Sequence, residues 1–336
     1  MVAVLIFVLL IIIHELGHFL AAKATGVKVN EFSVGFGPKL IKKQIGETLY
    51  SVNLIPLGGA CVMEGESEDS LNDRAFCNKG PFKRFLIVVA GAVFNLILGL
   101  IIVALSLSFT EVFTSKQIAK FEDNAVSQQS GLEVGDEILE VDGRKIFSTY
   151  DLSYAFTGVE DSAVDLVVKR NGQKTNLSNV KFASQEIDGT TFLTVDFWVK
   201  GEEKTFSNYV RYTVNTSISY GRVVWFSLVD LIGGKFGLNA VSGPVGVTEA
   251  IGTVAKTGLE NLLPIMALIT INLGIFNLLP IPALDGGRLL FIIFEIIFRK
   301  PVPQKYETLV HGIGFALLIG FMLLVTAKDI IALFIR

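Results

Sequence analysis

The chain has 336 residues, 51% of them hydrophobic, and a mean hydropathy of +0.56. Soluble domains do not average so high, and the excess sits in a few long blocks, the pattern of membrane spans rather than of a greasy core. A net charge of -3 gives no reason to expect a nucleic-acid partner, and two cysteines, Cys61 and Cys77, are too few for a disulfide framework.

The first apolar block runs from Val2 to Ala22. It lacks a basic leading region and carries titratable residues inside its apolar run, so it is expected to be a retained helix rather than a signal peptide. Two of the chain's three histidines lie here, four apart, in His14-Glu15-Leu16-Gly17-His18. Residues i and i+4 share a helix face, so both imidazoles can reach one ion. Glu15 stands beside them, where it can take a proton from an attacking water. A chance match is the competing reading. Inside an apolar span it is weak, because ionisable groups there are costly unless something satisfies them, and one metal satisfies all three.

Between the first and second blocks, Leu49–Pro56 and Ala60–Met63 are strand-like runs flanking Gly58-Gly59, which predicts a hairpin or looped strands. Lys23, Lys28, Lys39, Lys42 and Lys43 cluster in this loop, and Arg299, Lys300 and Lys305 cluster after the third block. The positive-inside rule then puts both loops in the cytoplasm, and both termini and the 115–261 segment outside. On that topology both cysteines face a reducing compartment.

The second block, Phe85–Thr110, has no charge at all. Its Gly91 and Asn95 read as a packing pair. From about Thr114 to Lys200 the pattern is that of a soluble domain. Turn glycines bracket an alternating strand in Gly131–Arg144, and Val164–Arg170 ends in Asn171-Gly172, a hairpin signal. Phe206–Leu238 follows, rich in aromatics with scattered charges, which suits a helix at the membrane interface. Gly243-Pro244-Val245-Gly246 reads only as a turn.

The third block runs from Leu262 to Leu284, with a possible continuation through Phe298, and the fourth from Leu309 to Ala327. About four spans result. Two histidines leave a catalytic zinc one protein ligand short. Of the acids that interrupt the later spans, Asp285 follows Pro280 and Pro282 and precedes Gly286-Gly287, a broken helix of the kind that lines a buried cavity. Glu295 lies nearer the cytoplasmic end and reads as a residue that caps or snorkels. Asp285 is therefore the expected third ligand. His311, without an i+4 partner, reads as a satisfied structural histidine.

His14-Glu15-Leu16-Gly17-His18, the Asn277–Gly287 segment with its Leu284-Asp285-Gly286 core, and the inserted domain together resemble the site-2 protease family of intramembrane zinc metalloproteases, in its bacterial RseP-type branch. The resemblance covers essentially the whole chain. It implies a multi-pass α-helical membrane protein with a membrane-associated β-hairpin region and one inserted PDZ-like α+β domain. The expected domains are 1–113, with two spans and the β-region; 114–200, PDZ-like; 201–260, interfacial helix and linker; and 261–336, with the other two spans. The resemblance also implies Zn2+ on His14, His18 and Asp285, and Glu15 as general base. Asn272 and Asn277 would hold unwound substrate backbone, with helix–helix hydrogen bonding an equal reading. The implied partners are single-span membrane proteins in the lipid bilayer, such as anti-sigma factors and remnant signal peptides, already trimmed by an upstream site-1 protease, at a bacterial inner membrane. Relatives best known for this architecture carry two PDZ domains, and this chain shows one.

Two other classes compete. A non-catalytic scaffold has no use for Glu15, and a metal transporter needs polar sites along a path that the second and fourth blocks do not offer.

Overall fold

The computed structural model describes residues 2–66, 68–159, 161–187, 189–237 and 241–335. The chain divides into two compact units, residues 1–99 with 242–336, and residues 100–241.

The first unit opens with α1 (Val2–Ala24), apolar on every side apart from the His14–His18 motif and Lys23 at its end. At ~1.5 Å per residue such a helix is about 35 Å long. Strands β1 (Val29–Ile45) and β2 (Thr48–Met63) follow as a long hairpin. The chain reverses at Gly46-Glu47, where Ile45 faces Thr48, and not at Gly58-Gly59 as the strand-like runs predict. The glycines do something else. Gly35, Gly37 and Gly58 all have positive φ, and a Cβ at Gly58 would collide with the Phe36 ring. They bend the hairpin over itself, so residues 48–53 lie between two stretches of β1. Tyr50 faces both Phe32 and Lys43, and Val52 faces both Val34 and Ile41, while Phe32 also faces Cys61. Residues 39–45 and 59–63 form the two edges, and the 39–45 edge is exposed throughout. The turn is anchored by Glu47, which takes bonds of 2.7 Å from Arg74 and from Lys23. Those two cations hold its carboxyl at about 2. Helix α2 (Pro81–Ser108) starts on a proline, whose missing N–H costs nothing at a first turn. It approaches α1 closely: a Cβ at Gly17 would stand 2.5 Å from the Ala90 carbonyl oxygen.

The second unit is built on β3 (Val112–Phe121), α3 (Val126–Gln129), β4 (Glu137–Val141), β5 (Arg144–Lys145), α4 (Thr149–Ala155), β6 (Ala163–Arg170), β7 (Gln173–Lys181), β8 (Ser184–Ile187), β9 (Thr190–Leu193) and β10 (Phe197–Glu203). Its main sheet has the order β10-β3-β4-β6-β7, with β5 pairing β4. Alternation places Val164, Leu166 and Val168 of β6 on one face, in a core with Ile118, Ile138, Val141, Phe156 and Val180. The Asn171-Gly172 turn has positive φ at both residues, the requirement of a tight hairpin with matching twist. Helix α5 (Phe206–Ile232) belongs to this unit. Asp230 on α5 receives two bonds from Arg144 and one from Tyr154, and Ser219 donates to Asp151 at 2.5 Å. Burial raises the Asp230 carboxyl, but Arg144 and Tyr154 outweigh it and hold the group below its ordinary range.

The chain then returns to the first unit through α6 (Pro244–Val254), α7 (Leu259–Phe276), α8 (Asp285–Phe298) and α9 (Gln304–Ile335). Gly243-Pro244-Val245-Gly246 is the start of α6 rather than a free turn. The Asp329 carboxylate on α9 accepts from the Gly243 and Gly246 amides at 2.9 and 2.8 Å, supplying the cap that Gly243 has no side chain to give. Ile251 on α6 is fully buried among Ala3, Ile6, Leu10 and Leu262. The third apolar block does not run as one helix: α7 ends at Phe276, and the two prolines make residues 278–284 a turn before α8. Glu295 pairs with Arg84 at 2.5 Å.

Among the described residues, four helices are long and apolar enough to cross a membrane: Val2–Ala24, Pro81–Ser108, Leu259–Phe276 and Gln304–Ala332. Helix α5 matches them in length but is not among them, because Arg211, Arg222, Asp230 and many Ser, Thr and Tyr interrupt it.

Candidate metal centre

Helical spacing puts His14 and His18 on one face of α1, their ring centroids 4.7 Å apart and edge to face. Asp285 reaches them from the first turn of α8. The two Nε2 atoms are 3.1 Å apart, and Asp285 Oδ2 lies 3.1 Å from that of His14 and 3.2 Å from that of His18. Among the described residues these three form the one His/Cys/Asp/Glu group whose ligand atoms converge in this way.

The donor set fits a small cation. His18 Nδ1 bonds the Ile87 carbonyl at 2.9 Å, so its proton sits on Nδ1 and Nε2 presents a lone pair to the site. That lone pair faces a buried carboxylate oxygen that has no hydrogen-bond partner. Two acceptors at 3.2 Å repel unless a proton or a metal cation lies between them. Ligands ~2.0–2.1 Å from one tetrahedral ion stand about 3.4 Å from one another, close to the spacing here.

Helix α2 supports both imidazoles with a stripe of residues four apart. Ile87 accepts from His18. At Gly91 a Cβ would collide with the His18 ring and stand 2.8 Å from His14 Cε1, so only glycine leaves room for both rings. Asn95, fully buried, has its amide 3.4 Å from His14 Nδ1, and its Oδ1 is unpaired. Turning that amide over places Oδ1 against a His14 Nδ1–H, which pairs the orphan oxygen and frees His14 Nε2 to ligate. Gly91 and Asn95 therefore do more than pack two helices. The available signal was their spacing from Ile87, which means nothing until α2 is laid against the histidines.

Glu15 points to the hairpin edge. A Cβ at Gly59 would lie 3.2 Å from Glu15 Cγ. Asn277 is buried at the end of α7, and Asn272 is half-buried one turn and a half earlier. Neither side chain hydrogen-bonds protein among the described residues. Gly286 and Gly287 let the first turn of α8 press on the preceding turn, because a Cβ at either would meet the Leu279 or Ile281 carbonyl. His311 accepts from the Ala283 amide through Nδ1, but its buried Nε2 is unpaired, so the ring is only half satisfied.

Comparison with known proteins agrees with this geometry. Residues 2–321 match the family described as Peptidase family M50. A protein of Clostridium perfringens is 37% identical over 333 residues, spanning 98% of this chain and 97% of its own. Others from Clostridium acetobutylicum, at 34% over 331 residues, and Fusobacterium nucleatum, at 33% over 340, are covered just as fully. Each carries the name "Putative zinc metalloprotease". The chain belongs to peptidase family M50, the site-2 protease family, and is a membrane metalloprotease.

Proposed function

We propose that this protein is an intramembrane zinc endopeptidase that holds its metal on His14, His18 and Asp285 and uses Glu15 as general base. The observation that carries the proposal is the convergence of two histidine nitrogens and one carboxylate oxygen within 3.2 Å, the histidines on α1, a helix apolar and long enough to cross a membrane, and the carboxylate at the start of α8. Zinc held there supplies Lewis acidity to the water and to the scissile carbonyl. Glu15 takes a proton from the attacking water and returns it to the leaving amine.

A substrate helix hides its amides in internal hydrogen bonds and must unwind before attack. The 59–63 edge beside Glu15 suits strand addition to the unwound chain. Asn272 and Asn277, with free side-chain amides, suit its backbone groups. The hairpin exposes Phe36, Leu40, Ile41, Leu54 and Ile55, which supports a membrane-associated setting. The sheet and two short helices of residues 114–200 support a PDZ-like domain of the RseP type, discriminating trimmed from untrimmed substrates. Single-span proteins already cut on the outer side are then the substrates of regulated intramembrane proteolysis, in a bacterial inner membrane.

The test is cleavage of a single-span model substrate by the purified protein, with and without chelator. Chelator-sensitive cleavage within the span is expected; cleavage that persists without metal, or none with full zinc, overturns the proposal. Asn95→Leu is expected to lower zinc affinity ~10–100-fold, the usual effect of losing an outer partner of a ligating histidine. Competition with a zinc chelator measures it. For topology, the basic loops support a cytoplasmic position for residues 23–84. An impermeant thiol reagent is therefore expected to leave Cys77 unlabelled in intact cells and to label it after permeabilisation.

A further inference from the structure

Asp285 opens α8, and the turn before it is strained. Ala283 has φ +76, in the left-handed region that a residue with a Cβ rarely adopts. Such backbone persists only where the surroundings over-determine it. Most hydrogen bonds of the turn are local: Ile281 N–H to the Leu279 carbonyl, Leu284 N–H to that of Ile281, and Gly287 N–H to that of Leu284. The Ala283 N–H instead reaches another helix and donates to Nδ1 of His311 on α9 at 3.0 Å. Three residues along α9, on the same face, Gly314 lies against Pro282. A Cβ at Gly314 would collide with the proline ring and stand 2.9 Å from the Pro282 carbonyl carbon.

We propose that His311 and Gly314 form a clamp on Pro282-Ala283 that sets where Asp285 stands, which makes His311 a positioning residue for the metal centre. This rests on the reading of Asp285 as a zinc ligand. The chemistry of the imidazole supports it. With Nδ1 accepting, the ring proton lies on Nε2, which is buried without a partner. A histidine serving only its own polar groups would not leave that nitrogen unpaired; the bond to Ala283 is what accounts for it. The Phe291 ring, 5.9 Å away on α8, packs against the imidazole. Gly314 supplies closeness and His311 supplies, among the described residues, the turn's long-range hydrogen bond, so the turn is held both sterically and electrostatically. Zinc ligation tolerates errors of only ~0.2 Å in ligand distance, so a small relaxation of this turn reaches the metal.

The experiment compares the full-length protein with His311→Leu, His311→Asn and Gly314→Ala in detergent. Zinc loss to a chelator is measured on the loaded proteins and amide exchange at Ala283 on the metal-free ones. His311→Leu and Gly314→Ala are expected to weaken zinc binding ~10–100-fold, as outer-shell losses do. His311→Leu is also expected to speed exchange at Ala283. An asparagine side chain at this position places an amide oxygen near where Nδ1 stood, so His311→Asn is expected to restore both readouts toward wild type. Wild-type zinc retention in His311→Leu with unchanged exchange at Ala283 overturns the clamp, as does a His311→Asn that fails as badly as His311→Leu. If His311→Leu does not fold, Gly314→Ala decides: wild-type zinc retention there overturns the clamp. Asp285→Ala runs in parallel. If it holds zinc like wild type, the ligand assignment fails; if it loses zinc and neither His311→Leu nor Gly314→Ala does, the clamp alone fails.

Discussion

Glu15→Gln is expected to keep its zinc and to lose peptide cleavage by ~10²–10⁴-fold, the range for removing a general base. The two readouts separate because the carboxylate is assigned to proton transfer and not to ligation. Glu15 follows His14 directly, so it shares the same helical turn but leaves the ligand face, toward Gly59. The amide of glutamine keeps the size, but it cannot take a proton near neutral pH. Elemental analysis and a cleavage assay on the same preparation check the result. A near wild-type cleavage rate would remove Glu15 from the role of base. Zinc loss in the variant would move it into the ligand set.

His18→Ala is expected to strip the metal, with an affinity loss well beyond the ~10–100-fold of an outer-shell change, because one of the three proposed protein ligands disappears. His14→Ala is expected to do the same, and Asp285→Ala to weaken binding. His18 is the more rigid of the two histidines: the Ile87 carbonyl holds its Nδ1 at 2.9 Å, against 3.4 Å between Asn95 and His14. Zinc per protein, measured after dialysis against a weak chelator, checks all three. Full occupancy in either histidine variant would sink the site.

The sequence by itself determined the features that depend on local periodicity. The His14/His18 pair was legible because i and i+4 share a face in any α-helix, whatever surrounds it. Apolar block length marked the four spans, and Asn171-Gly172 marked its hairpin because few residue pairs accept positive φ twice. Asp285 was legible as an exception, an acid beside prolines and glycines in an apolar stretch. Tertiary structure decided the rest. The Gly58-Gly59 pair looked like a chain reversal, but the ring of Phe36, far earlier in the chain, gives it a different use. Gly91 and Asn95 gained meaning only once α2 lay against the imidazoles, because their partners are about 80 residues away in the chain. The same holds for Asp329 at the start of α6 and for His311 at Ala283. A hydrogen bond between distant segments leaves no period in the sequence. It exists because buried polar groups must be paired, and only the packed helices decide which group is near enough to pair with which.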